Sequence, residues 1–375
     1  MGRFYNLTTV SFYIDTNMKN IAIKHVLIIR FRQIGDAVLS TAICNTVKKN
    51  FPDAEIDMAL NKNIAPLFQN HPAIDNVITF EENERHSMRL YLYKVYEIMH
   101  KIHYDVIIDM RSTLNTLPFS IFSLSTPLRI GVWKKYNKWV HNYRIKRDDL
   151  EGDMVQQNLM LVTPLEKIKH LHYSNDFSIF VAPYRKDKFR DYMENNGIKF
   201  NKPIMLVGVT AKLANKAWNE DRMVEVLKEL ITAYPDMQLI FNYAPGQEEE
   251  NAQRIYQKLE CSPNIFINIQ AHSLCELAAM LQNITFYFGN EGGARHIAQA
   301  MGIPSYVICS PNANKHTWIP QNNTPADGIA ATDYLSSEEL ANLDYQQKYD
   351  IIQAADVWKG LNFMLSILMQ NYRRS

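Results

Sequence analysis

From His25 onward the apolar positions fall into two alternating spacings. His25-Val-Leu-Ile-Ile-Arg-Phe31 is a nearly unbroken apolar run of strand length, as expected for a strand covered on both faces of a parallel sheet. Asp36–Asn50 then carries Ala37, Val38, Ala42, Ile43 and Val47 at helical spacing, and Phe51-Pro52 stops it. The pattern predicts further strands at Glu55–Leu60, Val77–Phe80 and Asp105–Asp109, and a helix over Met88–Lys101. It restarts near Pro183-Tyr184. Helices are predicted at Lys186–Asn196, Asp221–Tyr234 and Gln247–Leu259, and strands at Pro203–Val209, Gln238–Tyr243 and Ile265–Ile269. Ser273-Leu-Cys-Glu276 reads as a capping box. The strand Ile284–Phe288, a helix over Ala294–Met301 and the strand Ser305–Cys309 follow. A last helix, Tyr349–Gln370, carries Ile351, Ile352, Ala355, Trp358, Leu361, Met364, Leu365 and Leu368 in one stripe. Strands separated by helices imply parallel α/β sheets. Two halves of one rhythm imply two Rossmann-like domains facing a cleft.

At 375 residues the chain has room for two cores. Its formal charge of +1 gives no ground for general nucleic-acid binding. Cys44, Cys261, Cys275 and Cys309 form no Cys-x-x-Cys pair and read as buried free thiols of a reducing compartment. No apolar run reaches membrane-spanning length. Residues 1–22 lack a signal-peptide core and read as an extension, with Met18 an alternative start. The expected location is cytoplasmic.

Four stretches sit where a strand ends and a helix begins, the edge at which open α/β sheets bind ligands. The first is Arg30-Phe-Arg-Gln-Ile-Gly35-Asp36. One Gly replaces the three of a dinucleotide fingerprint, which weakens an NAD-linked oxidoreductase or epimerase reading. Asp36 suits either an N-cap or a general base. The second, Thr210 to Arg222, offers Lys216, with Lys212 as competitor, as a point charge for a diphosphate. In the third, Gly246-Gln-Glu248-Glu-Glu, the acids either complement the helix dipole or bond ribose hydroxyls. The fourth, Gly289-Asn-Glu291-Gly292-Gly293-Ala-Arg-His296, combines a Gly turn with a helix N-terminus, which suits phosphate.

Together these stretches resemble the lipopolysaccharide core heptosyltransferases, ADP-heptose-type inverting enzymes of glycosyltransferase family 9 with GT-B architecture. The likeness runs from about residue 24 to 320. It rests on Val26-Leu-Ile-Ile-Arg30 with Gly35-Asp36, Phe51-Pro52-Asp-Ala-Glu-Ile56, Lys216-Ala-Trp218, Gly246 to Glu249, and Glu291 to His296 with the Ala-x-Ala-x-Gly-x-Pro that follows. Glu291 stands where the family usually has Asp, and Gly292 where it has a hydroxyl residue.

The resemblance implies an acceptor domain over 23–183 and a nucleotide-sugar domain over 184–345. It implies a helix, 346–375, packing across the domains and back toward the first. Asp36 would be the base. Thr210, Lys216, Glu248, Glu291, Gly292, Gly293 and His296 would bind the donor, and Arg30, Arg32 and Arg111 an anionic acceptor. No metal or cofactor is expected, since Lys216 and helix dipoles can serve the leaving diphosphate. A sugar-nucleotide-binding protein without catalysis is the alternative.

Residues 129–147 hold Arg129, Lys134, Lys135, Lys138, Arg144, Lys146 and Arg147, with no acid and with Trp133, Tyr136, Trp139 and Tyr143 interleaved. They read as a solvated loop or as a platform for an anionic glycolipid or the inner leaflet. His100/His103 and His170/His172 lack a third metal ligand.

Overall fold

The computed structural model describes residues 21–31, 33–146, 152–211 and 216–372. Among these, two parallel six-stranded sheets form. The first contains β1 (His25–Ile29), β2 (Glu55–Ala59), β3 (Asn76–Ile78), β4 (Val106–Asp109), β5 (Leu128–Val132) and β6 (Tyr143–Ile145). The second contains β7 (Ile204–Gly208), β8 (Gln238–Phe241), β9 (Ile265–Phe266), β10 (Phe286–Asn290), β11 (Ser305–Ile308) and β12 (Ala326–Ile329). Their orders are β3-β2-β1-β4-β5-β6 and β12-β11-β10-β7-β8-β9. Counted from its own first strand, the second sheet repeats the first, and both have the 3-2-1-4-5-6 order of dinucleotide-binding sheets. Strand order reverses between β1 and β4 in one and between β7 and β10 in the other. Those two crevices are where ligands are expected.

The unbroken apolar run of β1 has a simple cause. Successive side chains point to opposite faces, so Val26 and Ile28 enter one apolar cluster while Leu27 and Ile29 enter another. In β7, Ile204 and Leu206 join the first of these, while Met205 and Val207 join a cluster on the far face of the second sheet. The largest cluster therefore runs from the first sheet through the Ile34–Asn50 helix to the near face of the second.

The connecting segment reinforces this join. Backbone N–H groups of His172, Ser174 and Ser178 donate to the side chains of Asn50, Thr46 and Thr41 along that helix. Ile179 N–H then reaches the Ala300 carbonyl at 3.4 Å. The helices opening at Ile34 and Gly293 are thereby held together.

Several expectations are corrected. The closing segment is two helices, Tyr345–Ile351 and Ala354–Tyr372. The break at Ile352 is paid for by long-range bonds: its carbonyl accepts from the Trp218 indole and the Arg222 guanidinium. The buried stripe is Val357, Leu361, Leu365 and Met369, and Ala355 is exposed. These residues belong to the second sheet's own outer cluster, beside the Glu220–Ala233 helix, β11 and β12. Among the described residues, the last helix packs on the far face of the second sheet, which needs that cover.

Residues 129–147 are not one loop, since β5 and β6 run through them; Arg147 lies outside the described residues. Cys44 and Cys309 are buried, and burial pushes both thiols up to about 12. Cys261 is exposed and Cys275 half-buried, so burial fails for two of the four. The capping box is half formed: Ser273 accepts from Glu276 N–H, but the Glu276 carboxylate bonds His272 N–H.

Candidate active site

At the first crevice the helix begins at Ile34, and Asp36 falls in its first turn without capping it. Its carboxylate is buried and pairs with the Arg30 guanidinium at 2.6 Å. Arg30 also donates to the Met110 carbonyl at 3.3 Å, so the residue leaving β1 is tied to the residue leaving β4. Arg111 follows, donating to the Phe31 carbonyl at 2.7 Å. These groups line a cavity of about 220 Å³ with Thr113, Val132, Lys134, Tyr136, Met154 and Trp318. Trp318 comes from the second half of the chain, so the cavity spans the cleft. Arg32 lies outside the described residues.

At the second crevice β10 ends in Asn290, and Gly292 caps the Gly293–Ala300 helix in extended conformation. The N–H groups of the first turn have no carbonyl one turn back to bond. They carry the helix's positive end toward the cleft. A Cβ at Gly292 would meet nothing within 4 Å. Sterics therefore do not demand Gly there.

Glu291 is committed within the protein, its carboxylate accepting from Ser310 N–H (2.9 Å) and Ser310 Oγ (2.6 Å). His296 is buried, and desolvation, with Arg295 adding to it, lowers its pKa well below the ordinary value. It is a neutral ring at physiological pH. Arg295 is fully buried, its pKa pushed down to about 10 by desolvation, and bonds Gln299, the Trp318 carbonyl and a nitrogen of His296.

Thr210, just past β7, donates to Glu248 at 3.2 Å. Gly246 makes this possible by entering the next helix at φ 91, a left-handed conformation that favours Gly. Lys216 has an exposed side chain, and its carbonyl accepts from Tyr349 Oη at 2.7 Å. Asn290 sets the loop's position: its Oδ1 accepts from Trp218 N–H (2.8 Å) and its Nδ2 donates to the Gly208 carbonyl (3.0 Å). Lys212 lies outside the described residues.

The two crevices meet. A Cβ added at Gly35 would lie 2.4 Å from His296 Cδ2, and one at Gly293 would lie 3.1 Å from Ile34 Cδ1. The N-termini of the Ile34 and Gly293 helices therefore abut, with Asp36 beside the junction.

The sequence model of glycosyltransferase family 9 (heptosyltransferase) matches residues 93–349. The chain belongs to that family. Lipopolysaccharide heptosyltransferase 3 of Escherichia coli K12 is 24% identical over 345 residues, covering 87% of this chain and 94% of the relative. Among solved structures, a family 9 glycosyl transferase from Veillonella parvula superposes with a TM-score of 0.79 at 15% identity, covering 94% of this chain and 99% of that one. The E. coli ADP-heptose lipopolysaccharide heptosyltransferase II superposes with a TM-score of 0.68 at 18% identity, covering 93% and 99%. The GT-B expectation, two Rossmann-like units about a cleft, agrees with these likenesses.

Set in a family 9 glycosyltransferase, the geometry brings Asp36, Arg30 and Arg111 together on one side and Gly292, Gly293 and His296 on the other. Sequence reasoning missed Asn290, Arg295 and Trp318, and it placed Lys134 and Tyr136 in a solvated loop or a glycolipid or membrane platform without bringing them to Asp36. Only Lys134 and Tyr136 carried a local signal, their place in the basic, aromatic run. Among the described residues no three His, Cys, Asp or Glu side chains gather as metal ligands; His170 and His172 meet edge to face, and His100 stacks on Tyr96.

Proposed function

We propose that this enzyme moves a heptose-like sugar, with inversion, from a nucleotide-diphosphate donor to a lipopolysaccharide-core or related envelope saccharide. The observation that supports it most is the abutment of the two helix N-termini, which sets a buried carboxylate beside a positively polarised turn. Asp36, aimed by Arg30, takes the proton of the acceptor hydroxyl as its oxygen bonds the anomeric carbon. The bond from that carbon to the diphosphate breaks, and the leaving group departs with the electron pair. N–H groups at Gly293 and Ala294, with Lys216, stabilise the charge developing there. We expect no metal, since these groups supply the positive field. His296, being neutral, gives shape and contributes no charge. Thr210 and Glu248 meet ribose hydroxyls, while Glu291 acts through Ser310. Arg111 and Lys134 meet acceptor anions.

A thermal-shift panel of nucleoside diphosphates and nucleotide sugars tests the donor half. A bound donor at about 100 times its Kd stabilises the fold by about 2.7 kcal/mol. If no nucleotide raises the melting temperature and no sugar reaches a core acceptor, the reading fails.

The same reading includes a peripheral membrane contact on the cytoplasmic side. Trp139 is 84% exposed, Leu114 75% and Leu124 59%. Arg129 joins two of these regions by bonding the carbonyls of Leu124 and Val140. Lys138 lies over the Trp139 ring. Apolar tips beside lysines suit an anionic leaflet. No described helix is long and apolar enough to cross a membrane. Sedimentation with phosphatidylglycerol vesicles checks the contact: Lys138→Glu should weaken binding by roughly 5-fold or more, given about 1 kcal/mol per basic residue. Equal binding to phosphatidylcholine vesicles would remove the idea.

A further inference from the structure

Beneath the acceptor-side cavity lies a buried polar pair that the transfer chemistry leaves unused. Asp109 ends β4, and His141 precedes β6; neither side chain has any solvent exposure. Asp109 Oδ2 and His141 Nε2 face each other at 3.7 Å, and neither has a hydrogen-bond partner among the described residues.

Each member controls one wall of the cavity. Asp109 Oδ1 accepts from Arg111 N–H (3.0 Å) and Ser112 N–H (2.7 Å), holding Ser112 at φ 50, a left-handed conformation costly for Ser. That turn presents Arg111 and Thr113 to the cavity. On the other wall, His141 Nδ1 lies 3.1 Å from Asn137 Nδ2. Asn137 Oδ1 accepts from Lys134 N–H and its Nδ2 donates to the Val132 carbonyl, which fixes the amide's orientation and sets the turn bearing Lys134 and Tyr136. Tyr136 Oη donates to the Ser112 carbonyl at 2.9 Å, joining the walls.

The bonding settles the histidine tautomer. Asn137 Nδ2 is a donor, so His141 Nδ1 accepts and the ring proton sits on Nε2. It points at the Asp109 carboxylate. We propose that Asp109 and His141 are positioning residues for the acceptor: this charged contact sets the spacing of the Arg111–Thr113 and Lys134–Tyr136 walls. The proposal rests on the reading of this cavity as the acceptor site.

Stability alone does not account for the pair. Burial pushes the Asp109 carboxyl up to about 6, with bonds from Ser112, Thr116 and Arg111 opposing only in part. Burial lowers His141 to about 4, with Arg129 and Arg144 adding to it. Tyr91 also senses Asp109, and it stays neutral. A raised carboxyl pKa means the fold prefers the protonated acid. The stability this adds is present below about pH 4 and lost as pH rises through about 6. At neutral pH the fold holds the ion at a loss, as groups kept for function often are.

The full-length Asp109→Asn protein tests this, because Asn keeps the Oδ1 acceptor while it removes the charge and puts an amide donor where Oδ2 faced the His141 Nε2–H. With a lipopolysaccharide core preparation that the parent enzyme glycosylates, its acceptor KM should rise roughly 10-fold or more. The affinity for the nucleotide donor should stay unchanged, and the melting temperature at about pH 7.5 should equal or exceed the parent's. The parent's acceptor KM should rise as pH falls through about 6, and the variant should lose that limb. His141→Gln, which can still donate to Asp109, should lie between the two.

An unchanged acceptor KM, an Asn variant that melts lower or does not fold, or donor and acceptor constants that worsen alike would each overturn the proposal. Should the parent glycosylate no core preparation, the transferase reading fails separately. The pair is then judged by ¹⁵N NMR of the histidine rings. One ring, absent from His141→Gln, should remain neutral and Nε2-protonated at about pH 5. A charged or Nδ1-protonated ring there overturns it.

Discussion

The Asp36→Asn enzyme is expected to turn over about 10²–10⁴-fold more slowly than the parent while binding nucleoside diphosphate equally well. Asn is the informative substitution because Asp36 does two things at once. It lines the cavity, and it neutralises Arg30, whose side chain is 3% exposed. Removing one member of a buried pair strands the other and costs about 3–5 kcal/mol. Asp36→Ala would therefore confuse lost chemistry with lost fold. Asn leaves an oxygen for the guanidinium and cannot accept the proton. Turnover measured beside calorimetric donor affinity separates the outcomes. A variant that binds donor and keeps full turnover would make Asp36 a structural partner of Arg30 and return the base to another group.

The carboxylate at Asp36 was legible from local sequence, and its partner Arg30 lies only six residues away. The strand, the single Gly and the acid lie within the twelve residues 25–36, and the helix that follows is marked by Ala37, Val38, Ala42, Ile43 and Val47. Partners so close in the chain are readable. The glycine turn was readable for the same reason, since Gly292, Gly293 and the helix behind them are contiguous. What was not readable depends on distant partners. Asn290 acts on Trp218, 72 residues away, and Ile352 ends its helix by accepting from residues 130 and 134 positions earlier.

His296 shows the limit differently. Its place beside the turn suggested a donor to phosphate, yet burial keeps it neutral, and burial is not written in a motif. The strands β5, β6 and β12 went unread because Arg129, Arg144 and Asp327 interrupt their apolar runs. β6 and β12 are sheet edges, where charged residues are common, and β5 is an inner strand next to one. Asp109 accepts two nearby N–H groups, but its histidine partner lies on another strand connection, beyond any local pattern.

Gly35→Ala is expected to produce a protein less stable than the parent, since overpacking of about 1–3 kcal/mol outweighs the gain in helix propensity, and roughly 100-fold poorer in kcat/KM. Gly35 lies inside a helix, where Ala is favoured over Gly by about 1 kcal/mol, and its backbone is not left-handed. Local propensity therefore argues against Gly at this position. The reason for it lies across the cleft, where a Cβ would stand 2.4 Å from His296 Cδ2 and 2.7 Å from Nε2. His296 cannot easily yield, because Arg295 bonds its ring on one side and Trp318 meets it edge to face at 6.1 Å. An added methyl must then hold the Ile34 and Gly293 helix ends apart, separating the base from the leaving-group site by a fraction of the distance that matters for attack. A double-mutant cycle with His296→Ala decides between this and a local effect. Relief of the Gly35→Ala penalty in the His296→Ala background would tie the loss to the contact between the two helix ends. An equal penalty in both backgrounds would place its cause within the Ile34–Asn50 helix and leave the approach of the domains unconstrained by this pair.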